Sequence, residues 1–97
     1  MPSYLLTYDL NNERGSADYR PLYDELERLG GQRALYSVWL IAMNGSAGQV
    51  HDHFRQFLDG NDLIFVTKLR KNAAPRAEYS YSARAGTNDW LKRNTPQ

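Results

Sequence analysis

The sequence predicts one small α+β (α/β) domain whose elements follow the order strand, helix, strand, strand, helix, strand. Three observations carry this prediction. Residues 4–8 and 62–69 are apolar, aromatic and β-branched in the manner of strands. Residues 19–29 and 50–58 repeat their apolar side chains at three- and four-residue steps, the spacing of one helical face. At 97 residues the chain has room for one core and no second. The domain is expected over residues 1–84, with 85–97 as a flexible tail.

The first strand, Tyr4-Leu5-Leu6-Thr7-Tyr8, lacks clean polar alternation, which places it centrally in its sheet, and Asp9-Leu10-Asn11-Asn12 closes it. In the first helix Tyr19, Leu22, Tyr23, Leu26 and Leu29 share a face, while Arg20, Asp24, Glu25, Glu27 and Arg28 mostly face water. Asp18 is the expected N-cap, because it puts Pro21 in the first turn, where a missing N–H costs no intrahelical bond. Gly30-Gly31 stops the helix.

Residues 32–43 are strand-like throughout and are divided at Ser37 into strands 32–36 and 38–43. No Gly or Asn marks a reversal there, so one long bent strand is the alternative. Ser46-Ala47-Gly48-Gln49 has the form of a capping box ahead of a second helix that buries Val50, Phe54, Phe57 and Leu58. Asp59-Gly60-Asn61 ends it, and the last strand follows.

This order is that of a ferredoxin-like sandwich with both helices on one sheet face. The opposite face is then open, with Tyr8, Trp39 or Phe65 expected on it. A patch of that kind is expected to be covered by a second copy, giving a homodimer. The alternation in Glu78-Tyr79-Ser80-Tyr81-Ser82-Ala83 fits an additional C-terminal edge strand in its own sheet or its partner's.

Composition narrows the chemistry. With no cysteine, disulfides, thiolate ligands and thiol nucleophiles are excluded. Any metal must lean on oxygen donors, which suits magnesium or manganese. No leader-like or membrane-length apolar run is present, so a cytoplasmic protein without a membrane partner is expected. The net charge is +1, but residues 1–66 carry −4 and residues 67–97 carry +5. Such a distribution suits a DNA- or RNA-binding basic face.

Asp9 is the foremost candidate site residue. A carboxylate at the end of a rigid strand can hold a hard divalent cation, and a two-fold axis would supply a second one. Its other reading is a turn cap accepting from the Asn11 or Asn12 amide. Arg33 could clamp a phosphate beside Asp9, and Ser37 could donate to a phosphate oxygen or water; the alternatives are a solvated Arg and a Ser that bends the chain. Arg14, Lys68, Arg70, Lys71, Arg76 and Arg84 are the candidate phosphate contacts. Tyr8, Tyr36 and Trp39 are either base-stacking residues or part of a dimer core. His51 and His53 lie two apart on a helix and are assigned no catalytic role.

Two stretches, Tyr4-Leu5-Leu6-Thr7-Tyr8-Asp9 and Leu29-Gly30-Gly31-Gln32-Arg33-Ala34-Leu35-Tyr36-Ser37-Val38-Trp39, with Asp62 to Leu69 as the later strand, give the chain its family likeness. It resembles the small ferredoxin-like CRISPR-associated adaptation proteins, dimers that accompany an integrase in spacer acquisition, over roughly residues 3–70. It also resembles their stand-alone relatives, including toxin-like ribonucleases. The resemblance implies a homodimer in which Asp9 meets its mate to hold a divalent metal for phosphodiester hydrolysis, with Arg33 and Ser37 as its further site residues. It also implies a C-terminal strand exchanged between protomers, an integrase partner and a place in antiviral defence. Where family members often carry several Arg after the Asp, this chain has Asn11-Asn12-Glu13-Arg14-Gly15. The functional expectation is a nucleic-acid-binding scaffold dimer. Its alternatives are a magnesium- or manganese-dependent endonuclease and a regulatory ferredoxin-like dimer.

Overall fold

The computed structural model describes residues 1–11, 19–70 and 82–94. They form β1 (Ser3–Asp9), α1 (Arg20–Arg28), β2 (Gln32–Leu35), β3 (Val38–Ala42), α2 (Ala47–Arg55), β4 (Leu63–Lys68) and α3 (Thr87–Arg93). The four strands make one antiparallel sheet in the order β2-β3-β1-β4. β1 is central, as its unbroken apolar run implies.

Register decides which side chains meet. Leu6 lies opposite Trp39 of β3 and Val66 of β4, so all three point to one face with Tyr4, Tyr8, Ile41 and Ile64. Onto that face α1 packs Leu22, Tyr23 and Leu26, and α2 packs Val50 and Phe54, which closes the main core. Tyr8 and Trp39, expected on the open face, are therefore on the helix side, 4% and 3% exposed, with Trp39 Nε1 donating to the Tyr8 hydroxyl at 3.1 Å. Phe65 does lie on the opposite face, 62% exposed.

The helix boundaries follow from local chemistry. α1 starts after Tyr19, one residue later than an Asp18 cap would give, with Pro21 in its first turn; Asp18 lies outside the described residues. At its other end Gly30 has φ 77°, and Gly31 must lack a side chain because a Cβ there would stand 2.8 Å from the Leu26 carbonyl oxygen. The capping box of α2 is formed: Gln49 N donates to Ser46 Oγ at 3.1 Å, and Ser46 N donates to Gln49 Oε1 at 2.8 Å. Glu25 of α1 receives Arg28 at 2.6 and 2.8 Å and contacts His53 Nε2 of α2 at 2.6 Å, tying the two helices together.

The strands 32–35 and 38–42 do separate around Tyr36-Ser37. Arg33 pairs with Trp39 and Leu35 with Val38, so Ala34 is an extra residue on β2. Such a bulge adds twist and turns the chain with no left-handed residue, which is why Gly and Asn are not needed.

The C-terminal segment differs from the flexible tail expected of it. α3 lays Trp90 and Leu91 on Ala34 and Leu40, with Leu5, Val38 and Ala42 packed around them. Trp90 is 3% exposed, and its Nε1 donates to Gly30 O at 2.8 Å. The segment covers the β2–β3 half of the second sheet face with the chain's own residues. Trp90 and Leu91 are the large apolar residues that α3 brings to this contact, too few to produce a periodic signal in the sequence. The expected strand at 78–83 falls mostly outside the described residues. Among the described residues no helix is long and apolar enough to cross a membrane.

Candidate functional site

Three backbone features converge at the carboxyl end of β1. Asp9 is the last residue of the strand and is exposed. Beside it the Tyr36-Ser37 turn is pinned to β1 by Tyr8 N donating to Ser37 O at 3.3 Å. On its far side Asp62 organises the loops: its carboxylate accepts from Asn11 N at 2.8 Å, Asp59 N at 2.8 Å and the Tyr19 hydroxyl at 3.0 Å. Asn11 Nδ2 also donates to Asn61 O. The Asn11 amide, one of the two weighed as donors to Asp9, is thus held by Asp62, while Asn12 lies outside the described residues.

Asp62 is 4% exposed. Burial alone would push its carboxyl up, but the amides of Asp59 and Asn11, the Tyr19 hydroxyl and the Arg55 charge together hold it below its ordinary range. It is a structural carboxylate, ionised and saturated with donors.

Two depressions meet at Asp9. One, of about 380 Å³, is lined by Tyr8, Asp9, Leu10, Asn11, Tyr36 and Ser37. The other, of about 140 Å³, lies on the β4 side between Asp9, Thr7, Leu63 and Phe65. Asp9 and Ser37 both line the larger depression.

Arg33 is engaged elsewhere. Its Nε donates to Tyr36 O at 2.8 Å and its Nη2 to the Tyr8 hydroxyl at 3.5 Å. The guanidinium carbon sits 5.0 Å from the ring centres of Tyr23 and Tyr36 and 5.6 Å from that of Trp39. Arg33 thereby fastens the Tyr36 turn to the core through cation–π and hydrogen-bond contacts. Sequence reasoning missed this aromatic surround, because Tyr23 comes from α1 and only the fold brings it to β2.

The basic residues collect away from Asp9. Lys68 lies opposite Tyr4 in the β1–β4 ladder, five residues back from Asp9, a distance of about 17 Å along the strand. Leu69 N donates to Ser3 O at 2.8 Å, and Ser3 Oγ donates to Asn94 O at 3.0 Å. Ser3 thus joins the end of β4, with exposed Lys68 and Arg70, to the end of α3, with exposed Lys92 and Arg93. Arg84 is exposed at the β2 edge, where its N–H donates to Ala34 O at 2.9 Å. Arg14, Lys71 and Arg76 lie outside the described residues.

No group of three or more His, Cys, Asp or Glu side chains able to hold a metal occurs among the described residues. Among the described residues Asp9 contributes the one carboxylate lining either depression. One carboxylate beside a Ser hydroxyl is a poor donor set for magnesium or manganese, so the described residues of one chain do not by themselves fit a resident ion. No family model matches the chain.

Proposed function

We propose that this chain is a nucleic-acid-binding scaffold that works as a homodimer, in the manner its resemblance to the CRISPR adaptation proteins implies. One observation carries the reading: the Ser3 contacts gather Lys68 and Arg70 of one element with Lys92 and Arg93 of another at a single end of the sheet. Cations exposed at one end of a domain release counterions from a phosphate backbone and bind it without regard to sequence. The β2-β3-β1-β4 strand order supports a ferredoxin-like arrangement.

The dimer is drawn from the half of the second face that α3 leaves uncovered. There Leu63 and Phe65 of β4 are each 62% exposed, an apolar strip that a second copy would remove from water. DNA or RNA is the ligand, and an integrase subunit is a further partner that the resemblance implies.

The test is binding of duplex DNA, single-stranded DNA and RNA across a salt series, comparing wild type with Lys68→Ala/Arg70→Ala and with Arg93→Ala. The expected result is steeply salt-dependent binding, with the slope on duplex DNA falling by about 0.9 for each phosphate contact removed. Binding that is absent at low salt, or unchanged in both variants, overturns the proposal.

A second reading is a magnesium- or manganese-dependent endonuclease. It is favoured by the position of Asp9 beside the uncovered apolar strip, where dimerisation would bring two carboxylates together. Cleavage that needs metal and is lost in Asp9→Asn with the dimer intact would establish it. Metal-independent behaviour identical in both proteins would exclude it.

A further inference from the structure

We propose that Asn44 is a site of spontaneous deamidation, and that its isoaspartyl product loosens the corner between β3 and α2. This inference is independent of the nucleic-acid-binding reading.

Of the asparagines in the sequence, Asn44 alone is followed by glycine. The residues that follow the others, Asn12, Glu13, Asp62, Ala73, Asp89 and Thr95, each carry a Cβ that crowds their own amide nitrogen. Gly45 leaves its nitrogen open to attack the neighbouring side chain.

The fold requires this glycine and does not hold the asparagine. Gly45 has φ 116°, in the left-handed region, and a Cβ there would stand 3.0 Å from Gln49 Oε1, the oxygen that accepts from Ser46 N in the capping box. Asn44 is exposed. Among the described residues its side-chain amide has no hydrogen-bond partner, and the Gly45 N–H has no acceptor. Asn11 and Asn94 differ in this respect, since their side-chain amides donate to Asn61 O and Trp90 O. At Asn44 both reacting groups are therefore free of bonds that would have to break first.

The reaction needs only water. A base takes the proton from Gly45 N, the nitrogen bonds to Asn44 Cγ, and the Cγ–Nδ2 bond breaks as ammonia leaves carrying a proton. This closes a five-membered succinimide. Water attacking Cγ breaks the Cγ–N bond and yields aspartate. Water attacking the main-chain carbonyl carbon of residue 44 breaks its bond to nitrogen instead and yields isoaspartate, whose main chain runs through Cβ and Cγ. Either route consumes one water and releases one ammonia.

The two products differ in what they do to the corner. Aspartate places a carboxylate ahead of the α2 N-terminus, where negative charge is favourable. Isoaspartate adds one carbon to the main chain between two pins. Met43 N donates to Pro2 O at 3.1 Å on one side, and Gly45 O accepts from the Tyr4 hydroxyl on the other. The capping box of α2 follows directly. A longer main chain strains this sequence of contacts, and the Tyr4 side chain, fully buried, is left without its acceptor when Gly45 O moves away.

The experiment ages the purified protein in mildly alkaline buffer, native and urea-unfolded, and follows each asparagine by peptide mass mapping. The peptide carrying Asn44 should gain about 1 Da per molecule converted. Its rate in the native protein should exceed that of every other asparagine about 10-fold and lie within about 10-fold of its own rate in urea. Asn44→Gln, which would have to close a larger ring, should abolish the gain at this position. After ageing, wild type should accept methyl groups from an isoaspartyl methyltransferase and unfold at lower urea than Asn44→Gln aged beside it. Fresh Asn44→Asp should unfold with fresh wild type, which separates the added charge from the lengthened main chain. A native rate no faster than at other asparagines, or about 100-fold below the rate in urea, overturns the assignment of the site. Equal urea midpoints for aged wild type and aged Asn44→Gln, or a fresh Asn44→Asp as unstable as the aged protein, overturn the loosening of the corner by isoaspartate.

Discussion

Replacing Trp90 by alanine tests whether α3 is a stabilising part of the domain. The indole is 3% exposed, donates to Gly30 O at 2.8 Å and packs with Leu91 on Ala34 and Leu40. Truncating a buried Trp of this kind costs about 3–5 kcal/mol, the sum of lost transfer energy and a residual cavity. Leaving Gly30 O without its donor accounts for about 1–2 kcal/mol of that total, so Trp90→Phe should recover most of the packing and lose only the polar part. If α3 detaches before the rest unfolds, the loss stops at its docking energy, and the denaturant slope falls because less surface remains to expose. Urea unfolding followed by far-ultraviolet dichroism reads both quantities. Dye binding to the bared Leu5, Val38 and Leu40 surface should rise in the alanine variant. Variants Trp90→Ala and Trp90→Phe that both unfold within about 0.5 kcal/mol of wild type would refute the docking of α3.

Three other perturbations have defined outcomes. Arg28 and His53 hold the Glu25 carboxyl at about 2, well under its ordinary value, so the stability it contributes is fully present above about pH 5 and drains away as pH falls toward 2. Glu25→Gln should flatten this part of a urea-midpoint-versus-pH curve and cost about 1–2 kcal/mol at neutral pH, a discounted figure because the Arg28 side chain is 65% exposed. In Gly31→Ala the new methyl meets the Leu26 carbonyl at 2.8 Å, and thermal unfolding should show a loss of about 1–3 kcal/mol; an unchanged midpoint would contradict this packing. Asp62→Ala removes the acceptor for the Asn11 and Asp59 amides and should cost about 2–4 kcal/mol, with faster hydrogen exchange at both amides as the local signature.

The elements were largely legible because each has a local cause. Val50 and Phe54 at helical spacing behind a Ser46/Gln49 capping box define α2, and Gly30-Gly31 ends α1. The side assignment of Tyr8 and Trp39 was not legible, for a physical reason. In β3 both Trp39 and Ile41 on one face and Leu40 on the other are buried, since α1 and α2 cover one side and α3 the other. Alternation then carries no information, and register is fixed only by the Ala34 bulge and the pairing of Leu6 with Trp39. Asp9 and Ser37 line one depression because both sit where neighbouring strands meet loops. Arg33 and Asp62 could not be assigned their partners in advance: Tyr23, Tyr19 and Asn11 reach them from elements far away in sequence.

The central position of β1 sets the order in which the chain can fold. Its two neighbours come late: Thr7 pairs with Val38, and Tyr4 with Lys68, while Ser3 completes its hydrogen bonding only with Asn94, 91 residues downstream. A strand that is apolar on most of its length thus waits, during synthesis, until Lys68 before both of its edges are paired. Contacts this distant in sequence slow the search for the native pairing and leave β1 exposed to wrong partners meanwhile. The Ser3 clasp, which joins three elements, belongs among the last contacts to form, so variants that weaken it should speed unfolding more than they slow folding.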